Sequence, residues 1–311
     1  MASSAISAAK AFVDSCQALG DAMAKWGQPE NDLYYIKTMN SDSGQMEIFC
    51  CTAESDYTHV IPRNYCALSF DEMMAGHVLI YGQDLYYIKT KKTASGNVEI
   101  ARYPKSKDYR ETDIALISIP LRLSDAADGY FTFSNNDLYF IRDRNTESAT
   151  VELTRWSFKS AFQKRTLLTT TPFLVENASK GQWNIWGEHL YFVQTAGSKT
   201  EGTNVTKVIL RSTRSEGDHP NYKTITNDIT TTYQNEHGKG DFYVTKDLMM
   251  YFLKLRETEN PGKYIEMHVA NNARGLDKEP NHYVTPFGPS DPGNGVFCLD
   301  KAAPPRQVRY R

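Results

Sequence analysis

Neither sign of charge dominates this sequence of 311 residues: 35 basic residues against 37 acidic ones leave a formal net charge of −2. With no surplus of cations, no global field draws the chain to nucleic acid or to an anionic membrane surface. No apolar run approaches the roughly 18 residues that a membrane-spanning helix needs, so no membrane insertion is expected. The start, Met1 to Trp26, lacks both a basic leader and an unbroken apolar stretch and does not read as a secretory signal. Cysteine is scarce. The five present, Cys16, Cys50, Cys51, Cys66 and Cys298, are odd in number and show no C-x-x-C spacing, which argues against a disulfide framework and a zinc knuckle. A reducing cytosol is the expected compartment.

Catalytic signatures are missing too. There is no glycine-rich phosphate loop and no G-x-S-x-G elbow. The histidines His59, His189, His219, His237, His268 and His282 show neither H-E-x-x-H nor H-x-H spacing, so neither a metal nor another cofactor is expected.

What is present is self-similarity. The octamer Asn31-Asp32-Leu33-Tyr34-Tyr35-Ile36-Lys37-Thr38 returns from Gln83 to Thr90, from Asn136 to Asp143 and from Glu188 to Thr195, at offsets of 52, 53 and 52 residues. A fifth copy around Asp247 to Lys254 carries about two extra residues, as a bulge would. Other positions keep the same phase. A glycine followed by alternating apolar residues precedes each anchor or closes the series: Gly76, Gly129, Gly181, Gly240 and Gly295. Behind each anchor lies a strand with an ionic residue between apolar ones, at Glu47, Glu99, Glu152, Lys207 and Glu266. An aromatic then opens the next segment, at Tyr57, Tyr109, Phe162, Tyr222 and Tyr283.

Period-two alternation broken by Gly, Asn, Asp, Ser and Pro clusters makes every one of these segments a strand. Four short antiparallel strands per unit of this length predict an all-β chain folded as a β-propeller. The units run at about 31–82, 83–135, 136–187, 188–246 and 247–300, a five-bladed propeller domain over residues 31–300. The first unit has no innermost strand of its own, because Ile6, Ala9, Phe12, Val13 and Cys16 recur at helical spacing and place a short helix in residues 1–30. Gly295 to Asp300 is an innermost strand with no unit after it, so it is expected to complete the first blade and close the ring. A six-bladed alternative would use Gln307 to Tyr310 from the tail, residues 301–311, together with the N-terminus, although Pro304-Pro305 suits a strand interior poorly. In general plan these units resemble the tachylectin-type and tectonin-type propellers, a resemblance that implies a carbohydrate-binding function without assigning residues.

Positions kept across the copies serve what every blade needs. Lys37 with Glu47, Lys89 with Glu99 and Arg142 with Glu152 suit cross-strand ion pairs, replaced in the fourth copy by Gln194 and Lys207. Other positions suit a ligand. Glu72, Asp125, Asn177, Glu236 and Asp291 each lie four residues before the opening glycine and would ring one mouth of the channel, where they could hydrogen-bond sugar hydroxyls. Tyr57, Tyr109, Tyr222 and Tyr283 could line repeated pockets between blades, and Trp186 could offer a sugar platform. Residues just after the glycines do not repeat, His77, Tyr130, Gln182, Asp241 and Val296, as a single catalytic site would require.

The expected function is that of a lectin-like, multivalent carbohydrate-binding propeller with a glycan or other small polar ligand. The alternatives are a glycosidase-type enzyme using Asp125, Glu236, Asp241, Asp291 or His77 at the channel mouth, and a protein-interaction scaffold.

Overall fold

The computed structural model describes residues 31–41, 43–187, 189–194, 202–209, 223–234, 239–245, 249–270 and 280–300. The expected N-terminal helix, the tail with its sixth-blade alternative, Tyr222 and Glu236 lie outside these residues.

Every long described element is a strand, and the strands form five four-stranded antiparallel sheets in a propeller arrangement. The first sheet holds β1 (Leu33–Lys37), β2 (Gln45–Cys51) and β3 (Val60–Ser69). The second holds β4 (Gly76–Tyr81), β5 (Asp84–Lys89), β6 (Asn97–Tyr103) and β7 (Ile114–Arg122). The third holds β8 (Gly129–Ser134), β9 (Asp137–Arg142), β10 (Thr150–Trp156) and β11 (Arg165–Leu174). The fourth holds β12 (Gly181–Trp186), β13 (His189–Gln194), β14 (Gly202–Ile209) and β15 (Lys223–Gln234). The fifth holds β16 (Gly240–Val244), β17 (Met250–Lys254), β18 (Glu266–Ala270) and β19 (Asn281–Val284). The last strand, β20 (Gly295–Leu299), returns to β1, pairing Gly295 with Lys37 and Leu299 with Leu33. That pairing gives the first sheet the fourth strand it lacks and covers an edge that would otherwise template association.

Close approach explains the recurring glycines that open β4, β8, β12, β16 and β20. A Cβ at Gly76 would sit 2.3 Å from the carbonyl oxygen of Ile88 and 2.7 Å from the ring of Tyr87, and one at Gly240 would lie 2.0 Å from the carbonyl oxygen of Leu253. The backbone of the partner strand lies directly over each glycine, and no side chain fits between them.

Side chains one, three and five residues after these glycines reach forward to the opening strand of the next sheet or to the turn that follows it. Gln182 donates to the Gly240 carbonyl (3.0 Å) and accepts from the Phe242 amide (2.7 Å), while Asn184 does the same with Phe242 and Val244 at 3.2 and 3.3 Å. The Tyr243 hydroxyl donates to the Phe297 carbonyl (3.2 Å), Asp300 accepts from the Gln83 amide (3.1 Å), and the Tyr81 hydroxyl accepts from the Asn136 amide (3.1 Å). Ser134 reaches the Gly187 carbonyl at 3.5 Å. Each sheet therefore holds the next, with buried apolar clusters spanning the joints, such as Tyr35 and Phe297 with Tyr243 and Leu253. These cross-sheet bonds mark β4, β8, β12, β16 and β20 as the innermost strands.

The structure corrects three expectations. The extra residues of the fifth unit are not a strand bulge, because β16 and β17 pair in unbroken register from Gly240 with Lys254 to Val244 with Met250, which leaves the insertion in the connecting turn. In the fourth sheet Gln194 faces Asn204, whereas Lys207 faces Tyr191, so Lys207 is not the counterpart of the C-strand carboxylates. The expected register holds for Lys37 opposite Glu47, Lys89 opposite Glu99 and Arg142 opposite Glu152, but Arg142 pairs with Asp128 at 3.4 Å and the carboxylates serve the hairpin turn. Ser43, Ser95 and Ser148 donate to them at 3.2, 2.9 and 2.9 Å.

The third correction concerns the aromatics. Tyr57, Tyr109 and Phe162 do not open the outer strand but end a 3₁₀ turn, each the second of two left-handed residues (φ 61°, 59° and 61°). Asp32, Asp84 and Asp137 from the anchors cap these turns by accepting from the amides of Ala53, Lys105 and Phe158 at 3.0–3.1 Å. The reversed backbone swings the rings into the core, where Tyr57 and Tyr109 are 0% and 1% exposed. Both hydroxyls donate to backbone carbonyls, of Asn31 and Gln83, at 2.9 Å.

Candidate functional site

The innermost strands present their side chains in equivalent layers, which together we call the cup. Its first layer is His77, Tyr130, Gln182, Asp241 and Val296, equivalent by register and all half-buried. Two residues further along each strand come Leu79, Thr132, Asn184, Tyr243 and Cys298, none more than 2% exposed. The first layer is thus part-exposed and the second is closed to solvent. The first layer does not repeat in chemistry, and the cup is asymmetric.

Asp241 is the electrostatic outlier of the cup. It follows Gly240 on β16 opposite Leu253. Removal from bulk water pushes its carboxyl up to about 7. A carboxylic acid that holds its proton near neutral pH can donate a hydrogen bond or a proton, which an ordinary surface aspartate cannot. Burial likewise pushes the Cys298 thiol of the second layer up to about 12, which leaves it an inert, protonated wall.

The expected rim residues do share one place. Glu72, Asp125, Asn177 and Asp291 lie in short helical turns, α1 (Phe70–Met73), α2 (Leu123–Ala126), α3 (Val175–Ala178) and α4 (Asp291–Asn294), that lead into β4, β8, β12 and β20. Three of them are occupied locally. Glu72 accepts from the amide and hydroxyl of Ser69 at 2.9 Å in a capping box. Asn177 accepts from Lys180 at 2.6 Å, and Asp291 accepts from the Gly288 amide at 2.8 Å. Asp125, half-buried, makes no such side-chain turn bond among the described residues.

The repeated aromatic pockets are not there for Tyr57 and Tyr109, because both rings belong to the core. Tyr283 is half-buried and meets Tyr57 edge-on with ring centroids 5.6 Å apart. Trp186 is half-buried and packs on the cluster of Phe242 and Val244 from the next sheet, at the end of β12 away from the cup's first layer. The meeting of His268 with His282 was not foreseen from sequence spacing. They are cross-strand partners on β18 and β19, beside Glu266.

No family model and no curated protein matches this sequence. Among solved structures the chain is similar to a Bacteroides uniformis protein named as a candidate 6-phosphogluconolactonase, at 11% identity and a TM-score of 0.40 over 83% of this chain and 84% of that one. It is also similar to the catalytic domain of a Coprinopsis cinerea GH62 alpha-L-arabinofuranosidase, at 10% identity and a TM-score of 0.35 over 66% of each chain. An alpha-L-arabinofuranosidase of Clostridium thermocellum matches at 11% identity and a TM-score of 0.32 over 79% of this chain and 93% of that one. None of these likenesses assigns the chain an activity.

Proposed function

We propose that the chain is a five-bladed propeller, its ring sealed by β20 against β1, that binds one carbohydrate in the cup, with Asp241 as the protonated group that meets it. The observation that carries this reading is the Asp241 carboxyl, held near neutrality at a position where each innermost strand presents a different side chain. Sugars are recognised by a few convergent donors and acceptors on a partly apolar wall. In the first layer Asp241 supplies the polar group and Val296 an apolar one, since the Gln182 amide is engaged by Gly240 and Phe242 and the Tyr130 hydroxyl is buried. A multivalent lectin would need one pocket per blade, and two of the expected aromatic positions are closed by the core.

The Asp241 proton also favours the glycosidase reading over passive binding. Glycoside cleavage needs a carboxylic acid that protonates the leaving oxygen and a second carboxylate on the other side of the bond. Among the described rim carboxylates, Asp125 is the one that no turn bond occupies. The test is a glycan array joined to a panel of aryl glycosides, run on the natural chain, Asp241→Asn and Asp241→Leu. The amide keeps a donor but cannot give up a proton, so Asp241→Asn retains binding and loses turnover, while Asp241→Leu loses both. A chain that neither binds nor cleaves any glycan would refute the reading, as would equal performance by all three proteins.

A further inference from the structure

We infer that the fifth sheet carries a divalent-cation site of the zinc type, formed by Glu266, His268 and His282. Glu266 and His268 lie two apart on β18 and so share a face, and the pairing of His268 with His282 sets the second imidazole beside the first. Nε2 of His268 lies 3.3 Å, and Nε2 of His282 3.5 Å, from Oε2 of Glu266. One ligand atom from each residue falls within 4.8 Å of the others. Around a tetrahedral Zn²⁺ with bonds of about 2.0–2.1 Å, ligand atoms sit about 3.3–3.4 Å apart. Two separations already match, and rotation of His282, 43% exposed, closes the third.

The other oxygen of Glu266 is held in place. Oε1 accepts from the Glu259 amide (2.9 Å), the Asn260 amide (2.9 Å) and the Asn260 side chain (2.6 Å). Asn260 is itself locked by paired bonds with the backbone of Tyr264 at 2.8 Å. This is the outer shell that metal sites use to orient a carboxylate.

Comparison among the sheets argues against a purely structural origin. Glu47, Glu99 and Glu152 occupy the position of Glu266, yet two residues on stand Phe49, Ala101 and Thr154 where the fifth sheet has His268. The hairpins there give the carboxylate a serine in place of three donors on a single oxygen. Lys254, opposite Glu266, is the cation nearby, and its ammonium is engaged by Glu259 at 3.1 Å. Three protein ligands leave the fourth position to water.

The experiment uses the full chain freed of metal with EDTA, titrated with Zn²⁺ by calorimetry and with Co²⁺ by visible absorbance. One Zn²⁺ per chain is expected, with the intense visible bands of four-coordinate Co²⁺. His282→Gln changes an exposed side chain and should fold; it and His268→Gln lower the affinity by more than the roughly 10–100-fold that loss of an outer-shell partner costs. Asn260→Ala falls within that range. Absence of saturable binding would overturn the site, and so would affinities unchanged in His282→Gln. Binding that survives there but is lost on blocking thiols would place the metal on cysteine instead.

Discussion

The hydroxyl of Tyr57 donates to the backbone carbonyl of Asn31 at 2.9 Å, and the Asn31 side chain in turn donates to the hydroxyl of Tyr251 at 3.1 Å. A turn of the first sheet, its leading strand and the fifth sheet are thus joined by one chain of bonds. Tyr57→Phe keeps the buried ring and leaves the carbonyl of Asn31 without this donor. An unpaired buried acceptor costs about 1–2 kcal/mol. Urea denaturation should register that loss with glycan binding unchanged. The opposite pattern, intact stability with lost binding, would reinstate Tyr57 as a pocket residue. Phe162, the natural counterpart in the third sheet, shows that the fold accepts the bare ring.

Gly76→Ala places a methyl group 2.3 Å from the Ile88 carbonyl oxygen, on a strand that cannot retreat without breaking its pairing with β5. Overpacking of this kind costs about 1–3 kcal/mol or more. Gly293→Ala meets nothing within 4 Å and serves as the neutral control. Thermal unfolding of the two variants should separate clearly. Equal midpoints would mean that the inner strands are not packed as closely as described.

Asp241 makes stability depend on pH in a defined direction. Its folded carboxyl lies at about 7, above the ordinary value of 3.8, so the folded chain holds this proton more tightly than the unfolded one. The contribution is complete below about pH 4, declines as pH rises toward 7, and is gone above that. Each tenfold gain in proton affinity corresponds to about 1.4 kcal/mol, reduced where water in the cup screens the charge. Asp241→Asn removes the decline. The difference in unfolding free energy between variant and natural chain should therefore grow from pH 4 to pH 8 in favour of the amide. A difference independent of pH would show that Asp241 titrates normally.

Much of this was legible in the amino acids because each repeated residue meets the same demand in every sheet. The glycine before each inner strand, the Asp of the first three anchors and the Glu of the C strands recur because a close-packed neighbour strand, a 3₁₀ turn and a hairpin serine wait for them. The pairing of β20 with β1 followed from two incomplete units at opposite ends. The turns were less legible. Nothing in Asp56-Tyr57 or Asp108-Tyr109 announces two left-handed residues, since glycine is absent from both pairs, and so their buried rings were read as candidates for pockets between blades. Insertions hid the register in the last two sheets, which misplaced Lys207 and concealed the meeting of His268 with His282 across the sequence between β18 and β19. The alternation Glu266-x-His268 was the one local signal, because residues two apart on a strand share a face. Asp241 was visible as a non-repeating residue. Its raised carboxyl comes from burial in the folded chain, which no local pattern encodes.

The most direct measurement is a calorimetric titration of the natural chain with the strongest glycan from the array. A single cup predicts one ligand per chain and a binding enthalpy that disappears in Asp241→Leu. Several equivalent ligands per chain, indifferent to residue 241, would contradict the account and return the repeated blades to the role of the binding sites.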